Sequence, residues 1–205
     1  MIKKLLGSFL FRTSGIYVVS NILNSAIPFF LLPVLTRYLT PADYGLIAVF
    51  QVLVGIVLPF SGVNTYGAIS RKYVEKDTID LPQYIGNCLI ILLIGSGICL
   101  LCLVLFQEEI SSLSLFPKNW LWTVAAFSMA QCIGLFLLTL WQMQGKAVSY
   151  GIFRNTQTIC NVLFTLLLVI VLNYGWQGRL GAQIFTAAIF SVVALGLLYK
   201  HGFLK

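Results

Sequence analysis

Charge is what this sequence has least of. Charged residues make up 9% of its 205 positions, 13 of them basic and 6 acidic. An ordinary soluble domain carries about 25%, because polar side chains must cover its surface. Apolar residues instead reach 59%, above the roughly 45–50% of such a domain. A water-soluble fold is excluded, and a membrane protein remains. Histidine occurs once, as His201 beside Lys200. Neither a Ser/His/Asp set nor a His/Cys/carboxylate metal cluster can be built around it. No glycine-rich phosphate loop of the P-loop type occurs. The acids Asp43, Glu75, Asp77, Asp80, Glu108 and Glu109 all fall between the long apolar runs. These absences give an enzyme no chemistry to use, and they call for no cofactor and no metal.

Cysteine adds little. Cys88, Cys99, Cys102, Cys132 and Cys160 all lie within apolar runs. Cys99 and Cys102 have redox-pair spacing, but a thiolate needs an electropositive setting, and the neighbours here are Leu, Ile and Val. Packing is the expected role.

What is present is length of apolar sequence. Uncharged runs cover 13–36, 44–70, 81–107, 119–145, 155–178 and 180–199, each reaching the roughly 20 residues that cross the hydrocarbon as helix. The short alternating segments of a membrane barrel do not occur. The sequence therefore predicts an all-α integral membrane protein with six transmembrane helices. The expected spans are about 13–36, 44–66, 84–106, 119–141, 148–172 and 180–199, flanked by termini at 1–12 and 200–205.

Lysine and arginine set the expected orientation. With both termini cytoplasmic, Lys3, Lys4, Arg12, Arg71, Lys72, Lys76, Lys146, Arg154, Lys200 and Lys205 fall on or beside cytoplasmic segments. Only Arg37, Lys118 and Arg179 fall on the other side. The net charge of +7 is thus a topology signal, and nucleic acid is not needed to explain it. A cleaved signal peptide is disfavoured, because Arg12 interrupts the first apolar stretch and the run beyond is long enough to stay embedded.

Polar residues inside the spans carry the functional information. In the fifth, Arg154, Thr158, Asn161 and Thr165 follow at helical spacing, with Gln157 at their edge. The first carries Ser14, Tyr17, Asn21, Asn24 and Ser25, ahead of Pro28 and Pro33. The second carries Gln51, Gly55, Pro59, Gly62 and Thr65, with Asn64 beside them. The fourth has the looser set Ser128, Gln131 and Gln142, and Ala130 with Gly134 reads as a packing pair. The third is nearly uniform in Leu, Ile, Cys and Gly, as a lipid-facing helix would be. Two explanations compete: interhelical hydrogen bonds in a dry bundle, or a water-filled cavity lined by the first, second and fifth helices. An arginine within the bilayer favours the cavity, since lipid exposure costs several kcal/mol. Snorkelling of Arg154 towards the interface is the competing account.

The segment Arg37-Tyr38-Leu39-Thr40-Pro41-Ala42-Asp43-Tyr44-Gly45-Leu46 resembles the first outer loop of the oligosaccharide flippases. These form the polysaccharide transporter branch of the multidrug/oligosaccharidyl-lipid/polysaccharide exporter superfamily. Arg71-Lys72-Tyr73 is similar to that family's basic inner loop, and Gly175-Trp176-Gln177-Gly178-Arg179-Leu180-Gly181-Ala182-Gln183 to its entry into the sixth span. The resemblance implies one six-helix lobe of a two-lobe transporter, its N-terminal half, in the bacterial inner membrane. Family members have about twice this length, so the chain reads as a half-length or truncated form. The implied activity is flipping of undecaprenyl-pyrophosphate-linked oligosaccharide units for surface polysaccharides such as O-antigen or capsule. The implied partners are the lipid-linked oligosaccharide, membrane lipid, and a second six-helix lobe or another copy of the chain. Arg154, Arg37 and Arg179 are the candidates for the pyrophosphate. Asn21, Asn24, Gln51, Thr158 and Asn161 are the candidates for sugar hydroxyls. A drug or ion antiporter lobe of the same superfamily is the first alternative, although it would prefer a carboxylate within a span. A structural scaffold for polysaccharide synthesis enzymes is the second.

Overall fold

The computed structural model describes residues 2–75 and 80–204. Lys76, Asp77 and Lys205 lie outside the described residues, as do the side chains of Lys3, Lys4, Arg12, Ser14 and Pro28. The described chain is all-helical: α1 (Ile2–Leu35), α2 (Pro41–Gly62), α3 (Thr65–Tyr73), α4 (Leu81–Leu105), α5 (Gln107–Ser114), α6 (Leu121–Met143), α7 (Ala147–Leu166) and α8 (Gly175–Lys200). A 3₁₀ turn, Lys118–Trp120, leads into α6, and a π-turn, Leu167–Val171, extends α7. Six helices are long and apolar enough to span a bilayer: α1 from Tyr17, α2, α4, α6 with its leading turn, α7 with its π-turn, and α8. The chain is a multi-pass membrane protein. The two short helices sit in connections, α3 between the second and third spans and α5 between the third and fourth.

Local chemistry explains where the spans begin. Thr40 closes a capping box on Asp43, its Oγ1 accepting from the Asp43 N–H while the Asp43 carboxylate accepts from the Thr40 N–H at 2.8 Å. Asp80 accepts from the Gln83 N–H at the head of α4, with Pro82 in the first turn. The second apolar run, read above as helical to 66, breaks earlier. Val63 and Asn64 both take left-handed backbone, with φ of 45° and 53°, so α2 stops at Gly62 and α3 leaves in a new direction. The sixth span begins earlier than 180. The π-turn, followed by left-handed Asn173 and Gly175, folds the chain back so tightly that α8 starts at Gly175. Arg179 consequently lies in the second turn of a helix and not in a connection.

Helix α6 is the centre of the helix bundle. Over an 18-residue apolar stretch of its span, 67% of the residues are buried, against 18% for α1 and 11% for α7. It packs on α2, α4 and α8, while α7 bridges α8 to α1 at the edge. Towards the end that carries α3, the core gathers Ile69, Ile85, Leu92, Phe136, Leu140 and Leu198 around α6. Towards the other end, Phe50 contacts Phe116 and Phe127, with ring centroids 6.1 and 5.6 Å apart. Apolar burial does not drive assembly in lipid, so close fit has to. Gly62 on α2 meets Cys132 of α6 in this way, and Gly95 on α4 meets the Ser61 carbonyl of α2. Gly134, read as half of a packing pair, faces open space instead. The outer face of α4 presents Ile90, Leu93, Ile94 and Leu101, in agreement with a lipid-facing helix.

Candidate functional site: a cationic, amide-lined cleft

The polar stripes converge. Asn24 of α1, Gln51 of α2, Gln131 of α6, Arg154, Gln157, Thr158 and Asn161 of α7, and Arg179, Gln183 and Thr186 of α8 line one cleft. Leu31, Phe127, Val162 and Ala187 complete its wall, and its volume is about 240 Å³. That lies below the roughly 300–1,000 Å³ of pockets that enclose a drug-sized ligand. The cleft can hold a small headgroup, and anything larger must extend beyond it.

Hydrogen bonds between helices fix the lining. The Asn24 amide donates to Asn155 Oδ1 at 3.0 Å, and the Thr158 hydroxyl donates to Asn24 Oδ1. These two bonds hold α1 on α7. The Gln51 amide donates to Gln183 Oε1 at 3.0 Å, joining α2 to α8. Arg179 Nη1 donates to both Asn161 Oδ1 and Thr165 Oγ1 at 2.7 Å. Each Nη carries two hydrogens, so this arrangement occupies Nη1 and leaves Nε and Nη2, with three N–H donors, for another acceptor. Gly178 makes that placement possible. A methyl group there would stand 2.9 Å from the Leu168 carbonyl oxygen, so only glycine lets α8 lie against the π-turn and bring the next residue over Thr165.

Arg154 is half-buried on the same face of α7. Seven residues separate it from Asn161, where Arg179 is anchored, which puts the two arginine levels ~10 Å apart along the helix. Among the described residues, no carboxylate lines the cleft or pairs with either arginine. No group of His, Cys, Asp and Glu that could hold a metal occurs among them either. A guanidinium without a carboxylate partner keeps its charge on partial desolvation, and its planar fork has the geometry to match phosphate oxygens.

The structure brings together Arg154, Asn161, Thr158, Asn24, Gln51 and Arg179. It does not bring Asn21 or Arg37 to them. Asn21 lies with Ser25, Ala26 and Phe29 on another face of α1, because Asn24 is the residue turned onto α7. Arg37 is exposed in the turn after α1, and its distance from the cleft follows from the chain reversing there into α2. The sequence reading missed Asn155, Gln183 and Thr186 as members of the site. Arg179, Gln183 and Thr186 stand four and three apart, a helical stripe as regular as that of α7. It was hidden because Arg179 was placed in a connection.

The amides bond across helices, and open space remains between them, walled by the first, second, fourth, fifth and sixth spans and not by the first, second and fifth alone. In a chain freed of native cysteines, Gln51→Cys and Thr158→Cys should react with a membrane-impermeant thiol reagent, whereas Ile90→Cys on the lipid face should not. Equal protection of all three would mean a dry seam.

Fold and site together define a multi-span helical membrane protein with a cationic, amide-lined cleft among its helices. The chain belongs to the polysaccharide biosynthesis protein family, whose model matches residues 10–204. It is similar to a protein of the Lsg locus of Haemophilus influenzae, 30% identical over 161 residues, covering 78% of this chain and 37% of that protein. A second relative from the same organism, described as an uncharacterized membrane protein, is 25% identical over 162 residues with the same coverage. The matched part of the chain therefore spans well under half the length of these relatives. No solved structure gives a significant match.

Proposed function

We propose that the chain forms one lobe of a flippase that carries polyprenyl-pyrophosphate-linked oligosaccharide from the cytoplasmic to the outer leaflet of the bacterial inner membrane. It acts as a carrier and not as an enzyme. The observation that supports this reading is the pair Arg154 and Arg179 in a cleft lined by amides and hydroxyls, with no carboxylate among the described residues. A pyrophosphate cannot enter hydrocarbon uncompensated, because burying an unpaired anion costs far more than folding contacts supply. Two guanidiniums at different depths offer it successive partners. The amides of Gln51, Asn161 and Gln183 offer sugar hydroxyls both donors and acceptors. The cleft is too small for a whole repeat unit, so the proposal includes an opposing wall, supplied by a second six-helix lobe or another copy of the chain. Membership of a polysaccharide biosynthesis family fits this cargo class.

The test is made in the organism. Deleting the gene should stop display of a surface polysaccharide while its lipid-linked repeat units accumulate in the inner membrane, and restoring it should reverse both. Normal surface polysaccharide after deletion would remove the proposal. Orientation is tested separately. Reporter fusions after residues 42, 112 and 175 should report the outer compartment, and fusions after 77, 146 and 205 the cytoplasm. The inverse pattern would place the entry side of the cleft at the wrong leaflet.

A further inference from the structure

A second basic pocket lies outside the cleft, at the break between α2 and α3. It is lined by Val63, Asn64, Gly67, Ala68, Arg71, Lys72 and Tyr84 and has a volume of about 340 Å³. Its construction follows from α3. Positions 64, 67, 68 and 71 stand at i, i+3, i+4 and i+7, one face of a helix. The opposite face sends Thr65 and Ile69 into the core, Ile69 fully buried. The Asn64 amide folds over Gly67, where an added Cβ would meet it at 3.0 Å, and the small side chain of Ala68 leaves a trough between that amide and Arg71, with Tyr84 of α4 also in its lining.

The charges are unequally committed. Lys72 Nζ bonds to Glu75 at 2.6 Å, and that hydrogen bond, with the carboxylate's charge, raises the Lys72 pKa above its ordinary value. The Arg71 side chain is exposed and has no ion pair with a described acid. Its guanidinium therefore remains free to bind an anion, with the Lys72 charge beside it. The pocket adjoins the ends of two spans, where α2 stops at Gly62 and α4 starts at Leu81. That is headgroup depth, so an anion arriving there from the membrane is a lipid phosphate.

We infer that the α2–α3 trough is a binding site for the phosphate group of a membrane lipid, with Arg71 as the bidentate donor, the Asn64 amide beside it and Ala68 as the floor. This goes beyond the cargo cleft and does not depend on it. Two kinds of lipid carry that chemistry: an anionic glycerophospholipid, or a polyprenyl pyrophosphate waiting at the entry leaflet.

The full chain, purified in a neutral detergent, is titrated with phosphatidylglycerol bearing a fluorescent tail, with phosphatidylcholine as the zwitterionic reference. Binding of phosphatidylglycerol should be at least tenfold tighter. Arg71→Gln should weaken it about tenfold, the scale of one charge-assisted pair. Ala68→Leu, which fills the floor and keeps every charge, should weaken it similarly. Lys118→Gln, in the connection before α6, should leave it unchanged. Farnesyl pyrophosphate is then added as competitor to protein carrying both Arg154→Gln and Arg179→Gln, so that neither guanidinium of the cleft contributes. Displacement at lower concentration than unlabelled phosphatidylglycerol identifies the site with the pyrophosphate carrier, and the reverse order identifies it with bulk lipid. Thermal midpoints of the variants confirm that they fold. Folded Arg71→Gln and Ala68→Leu proteins that bind like the parent would overturn the inference, whatever becomes of the cleft.

Discussion

Under the proposed function, Arg179→Gln should lose most export of lipid-linked oligosaccharide while remaining in the membrane at normal abundance. The residue is anchored before any cargo arrives, with Nη1 shared between Asn161 and Thr165, so a phosphate meets donors that need not be ordered afresh. A hydrogen bond to a charged group is worth roughly 1.5–3 kcal/mol, or about ten- to a hundredfold in affinity. Gln keeps an amide donor and removes the charge and the fork. Arg179→Lys keeps the charge, but one ammonium cannot both hold Asn161 and Thr165 and present a planar pair of donors, so it should recover only part of the activity. Asn161→Leu should resemble Arg179→Lys, since it removes one of the two anchors of the guanidinium and leaves only Thr165. At Arg154, Lys should lose part of transport and Gln most of it. Were Arg154 an interfacial anchor, Lys would be silent and Gln would mainly reduce the amount of protein in the membrane. The measurement is complementation of surface polysaccharide in the deletion strain at matched expression. Full complementation by both Gln variants would take the cargo site out of this cleft.

The class of protein and the count of spans were legible because the bilayer imposes a length, and uninterrupted apolar sequence reports it directly. The α7 face was legible for a similar reason: Arg154, Thr158, Asn161 and Thr165 repeat at the helical period in otherwise apolar sequence. The depth of Arg179 was not. A charge at the edge of an apolar run looks like a helix terminus, and only the π-turn after Leu166 and the left-handed pair Asn173 and Gly175 carry α8 past it. Nothing in Leu167–Val171 spells a π-turn, because the sequence Leu-Leu-Val-Ile-Val is equally good α-helix in lipid. The break at Val63–Asn64 was hidden in the same way, since a β-branched residue is among the last expected in left-handed backbone. Asn21 and Asn24 show the opposite limit. Both belong to the polar side of α1, and which of them meets α7 depends on the angle at which the two helices pack, a property of neither sequence alone.

Packing rather than polarity governs the other large effect. Gly95→Ala should sharply destabilise the helix bundle, and Gly95→Leu should prevent its assembly. A methyl group at 95 would lie 2.4 Å from the Ser61 carbonyl oxygen and 3.2 Å from that of Phe60. Both are backbone atoms of α2, so no side chain can swing aside and the two helices must separate. Overpacking costs typically about 1–3 kcal/mol. A rigid contact of this kind belongs at the upper end of that range, because separation also undoes neighbouring contacts. Gly97 supplies the control from the same helix. It is exposed and has nothing within 4 Å of an added Cβ, so Gly97→Ala should be neutral or slightly stabilising through helix propensity. Thermal midpoints of the two purified variants in one detergent should therefore move apart, that of Gly95→Ala falling and that of Gly97→Ala holding or rising. Equal midpoints would mean that α2 and α4 do not cross at Ser61. The consequence reaches the cleft, since α2 also carries Gln51 to its bond with Gln183. A helix pushed off α4 must either press into α8 or tilt away from it. In Gly95→Ala protein that still inserts, the reactivity of a cysteine at 51 should change along with stability, which links the lipid-side seam to the polar face across the helix.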